Sequence, residues 1–146
     1  MASVSTYLNF PGNTEAAFLF YRSVFGTGFD SYGIMRMGDV PPDPGQPPLS
    51  EADSRLVMHV CLPILGGHLL MGTDCVASRG QTVTMGNNVH ISLQTDTRAQ
   101  ADELFAKLSE GGRIDMPMQD MFWGDYFGSL VDRFGVQWML NCASKA

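Results

Sequence analysis

Residues Trp123–Cys142 read WGDYFGSLVDRFGVQWMLNC, and residues Arg55–Asp74 read RLVMHVCLPILGGHLLMGTD. Laid over each other at an offset of 68 (123 − 55), the two stretches share one layout: an apolar strand, a glycine at the turn (Gly67 or Gly135) and a second apolar strand. Each reads as a β-hairpin. The correspondence continues upstream at an offset of 84 (101 − 17), between TEAAFLFYRSVFG and RAQADELFAKLSEGG. The first of these puts Ala17, Phe20, Tyr21 and Val24 on one helical face and stops at Gly26; the second carries Ala101, Leu104, Phe105 and Leu108 ahead of Gly111 and Gly112. Asn13 or Thr14 is placed to cap the first helix, and Thr97 with Gln100 can form a capping box for the second. An alternating strand precedes each helix, VSTYLNF in one case and NNVHISLQTD in the other.

The two offsets differ by 16 (84 − 68) because the first half carries extra residues around GDVPPDPGQPPLSEAD. Proline cannot donate to a sheet ladder, so this stretch, about 38–54, is expected to be a mobile inserted loop and not a central strand. Adding strands at Phe29 to Met37 and Gly112 to Gln119 gives strand, helix and three strands, twice over. The expected fold is a single α+β domain spanning 1–146, built from two repeated βαβββ modules, one about 1–80 and the other about 86–142.

At 146 residues and 45% hydrophobic content, the chain has enough apolar material for one ordinary core. No run approaches the roughly 18 apolar residues of a membrane span, and MASVSTYLNF lacks the basic and apolar segments of a signal peptide, so a cytoplasmic protein with no membrane partner is expected. Cys61, Cys75 and Cys142 are odd in number, lack CxxC spacing and sit in or beside apolar stretches. They read as buried free thiols, and not as disulfides or zinc ligands. A net charge of −6 with only nine Lys and Arg argues against nucleic acid, whose phosphates require a basic surface. The glycine pairs at 66–67 and 111–112 fall in neither GxGxxG nor a P-loop, so no nucleotide site is supported. A small organic partner is the remaining expectation.

The order of elements resembles the vicinal oxygen chelate superfamily, the glyoxalase, bleomycin-resistance and extradiol dioxygenase group, and within it the PhnB-like branch. The likeness rests on YLNFPGNTEAAFLFYRSVFG, GGHLLMGTD, MPMQDMFWGDYFG and DRFGVQWMLNC. It implies two βαβββ modules whose curved mixed sheets surround a cavity, and a homodimer, for which the aromatics from Phe122 to Tyr126 could supply an apolar patch. Relatives of that branch sometimes carry a demethylubiquinone methyltransferase label. A Rossmann-type methyltransferase needs a parallel sheet and a glycine-rich strand-to-helix turn, which this sequence does not offer.

Strand alternation indicates which side chains face the cavity. In NVHISLQ, Val89, Ile91 and Leu93 are expected under the helix, with His90, Ser92 and Gln94 on the concave side. Tyr7 and Asn9 join them there from the first strand, as do His59 and Cys61 by the parity of LVMHVCLP, and Phe127 and Ser129 by the parity of the second hairpin. His68 has the opposite parity and is expected to face outward. In metal-dependent members of the superfamily the ligands come from the first and last strands of each module. Carried over by position, His90 falls on one such place, but the others are Ser5, or Tyr7 if the register slips, and Met71 and Met139. Hydroxyl and thioether groups are poor donors for a hard divalent ion, so no cofactor is expected.

The resulting expectation is a pocket with Phe127, Met71 and Met139 as apolar walls and Tyr7, Asn9, His59, His90, Ser92 and Gln137 as polar handles, suited to a small, partly apolar molecule. His90 is the best catalytic candidate, although an inward histidine is more often a hydrogen-bonded wall residue, and inward methionines most often only fill space. The alternative is a metal-dependent lyase, isomerase or dioxygenase using His90 with His59. Asp115, Asp120, Asp125 and Asp132 read as turn and edge residues and not as paired acid catalysts.

Overall fold

The computed structural model describes residues 1–144, in two compact units that divide between Thr84 and Met85. The first holds β1 (Thr6–Phe10), α1 (Thr14–Phe25), β2 (Met35–Arg36), α2 (Glu51–Ser54), β3 (Val57–Pro63) and β4 (Leu69–Asp74). The second holds β5 (Ile91–Thr95), α3 (Arg98–Ser109), β6 (Arg113–Asp120), β7 (Tyr126–Val131) and β8 (Gln137–Cys142). The sheets are ordered β1-β4-β3-β2 and β5-β8-β7-β6. In each, the first strand runs parallel to the last and the other neighbours are antiparallel. The expected duplicated α+β arrangement is present, and no helix among the described residues is long and apolar enough to cross a membrane.

Each unit builds its core between one helix and one face of its sheet. Helix α3 buries the four residues its periodicity indicates, Ala101, Leu104, Phe105 and Leu108. Helix α1 departs from expectation at one position, because Phe18 is fully buried while Phe20 is only half-buried. Phe18 lies four residues after Thr14 and three before Tyr21, so it shares their stripe. Its ring meets Phe10 and Tyr21 edge to face and fills the space left by Gly72, where a Cβ would stand 2.5 Å from the ring. Burying such a ring contributes about 2 kcal/mol.

The helix starts are secured differently. Asn13 occupies the cap of α1 but its side chain makes no capping bond. The free N-terminal N–H is taken instead by Asp74 at the end of β4, whose Oδ1 accepts from the Thr14 N–H at 3.0 Å and its hydroxyl at 2.6 Å, while Oδ2 accepts from the Val57 N–H at 2.8 Å. This buried carboxylate ties α1, β3 and β4 together. In the second unit Thr97 caps α3 through the Gln100 N–H at 3.1 Å, and the Gln100 side chain accepts from the Asp96 N–H at 3.0 Å, one residue short of the reciprocal bond of a full capping box.

Both hairpins close with the same backbone bond, Ile64 N–H to His68 in one and Asp132 N–H to Val136 in the other, each 2.8 Å. The second adds a side chain. Asp132, 3% exposed, accepts from the Phe134 and Val136 N–H groups and from the indole N–H of fully buried Trp138, so it is a buried turn residue, as the sequence indicates.

Three segments differ from expectation. The strand anticipated over Phe29 to Met37 shrinks to Met35–Arg36, because Asp30 accepts from the Tyr32 N–H through its side chain and from the Gly33 N–H through its backbone, which turns the chain. Val89, expected under the helix, is 69% exposed, since β5 begins only at Ile91 and the Val89 carbonyl accepts from the Gln137 amide. Cys75 is less buried than Cys61 and Cys142, and all three thiols are free. In the second sheet, β6 contains Pro117 and its pairing with β7 shifts register twice.

Candidate functional site

Cross-strand register shows which side chains lie on the sheet face away from each helix. In the first unit Val60 pairs with Gly72 and Leu62 with Leu70, all on the helix side. The alternate positions therefore make up the opposite face: Tyr7 beside Met71, Met71 beside Cys61, Asn9 beside Thr73, and His59 two residues before Cys61. Tyr7, Asn9, His59 and Met71 are thus brought onto one face. The Tyr7 hydroxyl meets His59 Nδ1 at 3.1 Å, with the two rings 5.7 Å apart. Partial burial raises the Tyr7 phenol above its usual pKa against the opposing effect of the Thr73 side chain, so at neutral pH the group is a protonated hydrogen-bond donor. The Cys61 thiol is also pushed up, first by burial and then by the nearby Asp30 carboxylate. Such a thiol is a poor nucleophile at neutral pH.

The second unit repeats this face with other chemistry. Ser92 pairs with Met139 and Met139 with Ser129, while Gln94 pairs with Asn141 and Asn141 with Phe127. Ser92, Phe127, Met139 and, two residues before Met139, Gln137 share the face. Gln137 is only 8% exposed, and its amide is already committed to the Val89 carbonyl at 2.8 Å. Asn141 donates to Gln94 Oε1 and to Asp125 Oδ2, both at 3.0 Å, forming a polar row on this face. Asp125 is held below the usual carboxylate range, first by Asn141 and then by the Ser144 N–H. The expected site residues did not include Asn141, although its parity with Met139 was readable. His90 stands one residue ahead of β5, half-buried, with no side-chain hydrogen bond among the described residues. Ser5 holds the matching place before β1. His68 bonds to the Thr6 hydroxyl at 2.8 Å, on the helix side of the sheet.

The four positions at which the family resemblance expects ligands hold Ser5 (or Tyr7), Met71, His90 and Met139. One imidazole with hydroxyl and thioether groups does not fit a hard divalent ion. Among the described residues no group of three or more His, Cys, Asp and Glu side chains is placed to hold a metal ion.

Comparison with known proteins bears out the family resemblance and the fold. A sequence model of the glyoxalase/bleomycin resistance protein/dioxygenase superfamily matches residues 6–140. Protein YjdN of Escherichia coli K12 is 28% identical over 145 residues, covering 97% of this chain and 96% of that protein. The crystal structure of PA1353 from Pseudomonas aeruginosa superposes with a TM-score of 0.83 at 32% identity, covering 99% of this chain and 100% of that one. A Bacillus cereus PhnB protein, described as a putative 3-demethylubiquinone-9 3-methyltransferase, superposes with a TM-score of 0.71 at 29% identity, covering 97% of this chain and 100% of that one.

Proposed function

Because this chain belongs to the glyoxalase/bleomycin resistance protein/dioxygenase superfamily, we propose that it binds a small, partly apolar organic molecule on its helix-free sheet faces and does so without the hard divalent metal of glyoxalase chemistry. One observation carries the reading: Met71 and Met139 occupy equivalent central positions in the two sheets, where the superfamily's metal enzymes place ligands. A thioether is polarisable and apolar, so it suits contact with a flat organic group better than a hard cation.

Around Met71 stand Tyr7, Asn9 and His59, which offer hydroxyl, amide and imidazole groups to orient a ligand. Around Met139 stand Ser92, Phe127 and the Asn141 row, which offer an aromatic surface and amides of fixed direction. Few polar groups against apolar walls is the usual composition of a small-molecule site. The methyltransferase name of the Bacillus cereus relative belongs to that protein; here, among the described residues, no glycine-rich turn precedes a helix to hold a nucleotide-like methyl donor. The exposed ring pair Phe122 and Trp123, 98% and 52% exposed and packed edge to face, supports a homodimer, which sedimentation velocity of the native protein against Phe122→Ser tests.

The deciding experiment is metal analysis of untagged protein purified without chelator, with melting curves in Zn²⁺, Ni²⁺, Mn²⁺ and Fe²⁺. The expected result is no stoichiometric metal and no metal-dependent shift, while a screen of flat organic compounds yields a stabilising ligand whose effect is lost in Met71→Glu or Met139→Glu. Stoichiometric metal that disappears in His90→Ala would overturn the reading and favour a metal-dependent lyase, isomerase or dioxygenase.

A further inference from the structure

Met58 lies on β3 between Val57 and His59, where the pairing with β2 shifts register. There it forms one wall of a cavity of about 380 Å³ that the proline-rich insertion covers. Met37, Val40, Leu49 and four prolines of the insertion supply the other apolar walls. The insertion is fastened at its two ends. The Met37 N–H donates to the Leu56 carbonyl at 2.8 Å, Ser50 caps the α2 turn through the Asp53 N–H at 3.1 Å, and the Ser78 hydroxyl donates to Asp53 Oδ2 at 2.7 Å. Proline rings at four of the wall positions limit the motion of what lies between.

Two charged side chains line this cavity, Arg79 and Asp43. Neither makes a side-chain hydrogen bond or ion pair with another described residue, even though the chain's acidic residues outnumber its basic ones by 15 to 9. Arg79 ends the short 3-10 turn Ala77–Arg79, and that turn is held by the Ser78 bond to Asp53. Its guanidinium therefore comes from an anchored segment, whereas Asp43 sits within the insertion in a turn closed by Gln46. A guanidinium beside apolar walls and without a partner of its own selects a carboxylate, which it can engage with two parallel hydrogen bonds.

We propose that the cavity under the proline-rich insertion binds a small carboxylate with an apolar aryl or alkyl body, its carboxylate on Arg79 and its body against Met58, Leu49 and the proline rings. None of the residues lining this cavity is Tyr7, Asn9, His59 or Met71, and the site stands independently of the function proposed above. Asp43 repels such a ligand, so the two charged residues act in opposite senses.

The test uses the full chain with 1-naphthoate as probe, followed by methionine methyl NMR and titration. Binding is expected to shift the methyl signals of Met37 and Met58 and to weaken about tenfold or more in Arg79→Gln. It should strengthen in Asp43→Asn, read at the same Met37 and Met58 methyl signals. The neutral methyl ester should bind about tenfold less tightly than the acid, since it cannot form the charged pair. Equal affinity for ester and acid, preference for a naphthyl amine, no effect of Arg79→Gln, or signals that shift only at Met71 would each overturn the proposal. Urea unfolding of the variants confirms that they remain folded, because the substituted side chains are on the surface.

Discussion

The same cross-strand pair in the two modules is filled in opposite ways. Val60 on β3 faces Gly72 on β4, and at the offset of 68 Gly128 on β7 faces Leu140 on β8. The glycine leaves room for an aromatic ring from the helix, Phe18 at Gly72 and, beside the Met118 sulfur, Phe105 at Gly128. What the duplication keeps is therefore a hole for one ring and an aliphatic side chain next to it. Which strand supplies the hole follows from where the helix lays its aromatic, and the helices supply theirs at non-equivalent places, since 18 + 84 is Asp102 and 105 − 84 is Tyr21.

The buried carboxylates diverge in the same manner, and they give the largest expected effects. Asp74 has Cys142 as its counterpart (74 + 68) and Asp132 has Ile64 (132 − 68), so each module relies on a carboxylate the other lacks. Asp74→Ala and Asp132→Ala each strand several buried donors and should each lower unfolding free energy by about 3 kcal/mol, read from urea denaturation. A loss below about 1 kcal/mol in either would mean that water or neighbouring groups replace the carboxylate and that this contrast carries little energy. Next in size, Gly72→Ala and Gly128→Ala should each cost about 1–3 kcal/mol through overpacking, against Phe18 in the first case and against Met118 and Phe105 in the second. The double variant Val60→Gly with Gly72→Leu, which copies the second module's pattern into the first, should not regain stability. Recovery in the same assay would show that the helix can move its ring, and the comparison would fail.

The caps give a smaller difference. Thr97→Ala removes a real capping bond and should cost about 1 kcal/mol. Asn13→Ala should change thermal stability little, because Asp74 already serves the first N–H of α1. The smallest effect concerns the surface pair Glu15 and Arg36, 2.8 Å apart with side chains 44% and 35% exposed. The hydrogen bond from Arg36 lowers the Glu15 pKa in the folded state, with the Arg36 charge acting in the same direction and burial opposing. Its contribution is therefore present above the ordinary glutamate pKa and is lost as pH falls through the lowered value. In Glu15→Gln, stability at neutral pH should drop by no more than about 1 kcal/mol, with the gap to wild type closing in acid. Paired melting curves at pH 7 and at acidic pH check this.

Much of this was legible from spacing. Helices α1 and α3 are each twelve residues long and stand 84 positions apart throughout, so apolar periodicity alone located both. Parity placed Tyr7, Asn9, His59, Met71, Ser92, Phe127 and Met139 on strand faces because period-two alternation is strict once a strand is given. The failures are where local chemistry or distance in sequence decides. Side-chain and backbone turns at Asp30 cut the anticipated second strand to two residues, and β5 starts too late to carry Val89 inward. The capping role of Asp74, sixty residues from Thr14, has no local signature at all. The row from Gln94 through Asn141 to Asp125 was likewise hidden, since hydrogen bonds between side chains on three separate segments leave no periodic trace.

The outer strand of the second sheet bears on solubility. An exposed edge offers a row of open N–H and C=O groups on which another chain can add as a strand, and β6 is eight residues long with Ile114 half exposed and Met116 about a third exposed. Pro117 removes one donor from the middle of that row, and the two register shifts against β7 interrupt its regular spacing. These are recognised means of blunting an edge. In the first sheet the corresponding edge is β2, and its length of two residues achieves the same protection. A long irregular edge and a very short one are thus two independent defences against edge-to-edge aggregation in a single duplicated chain.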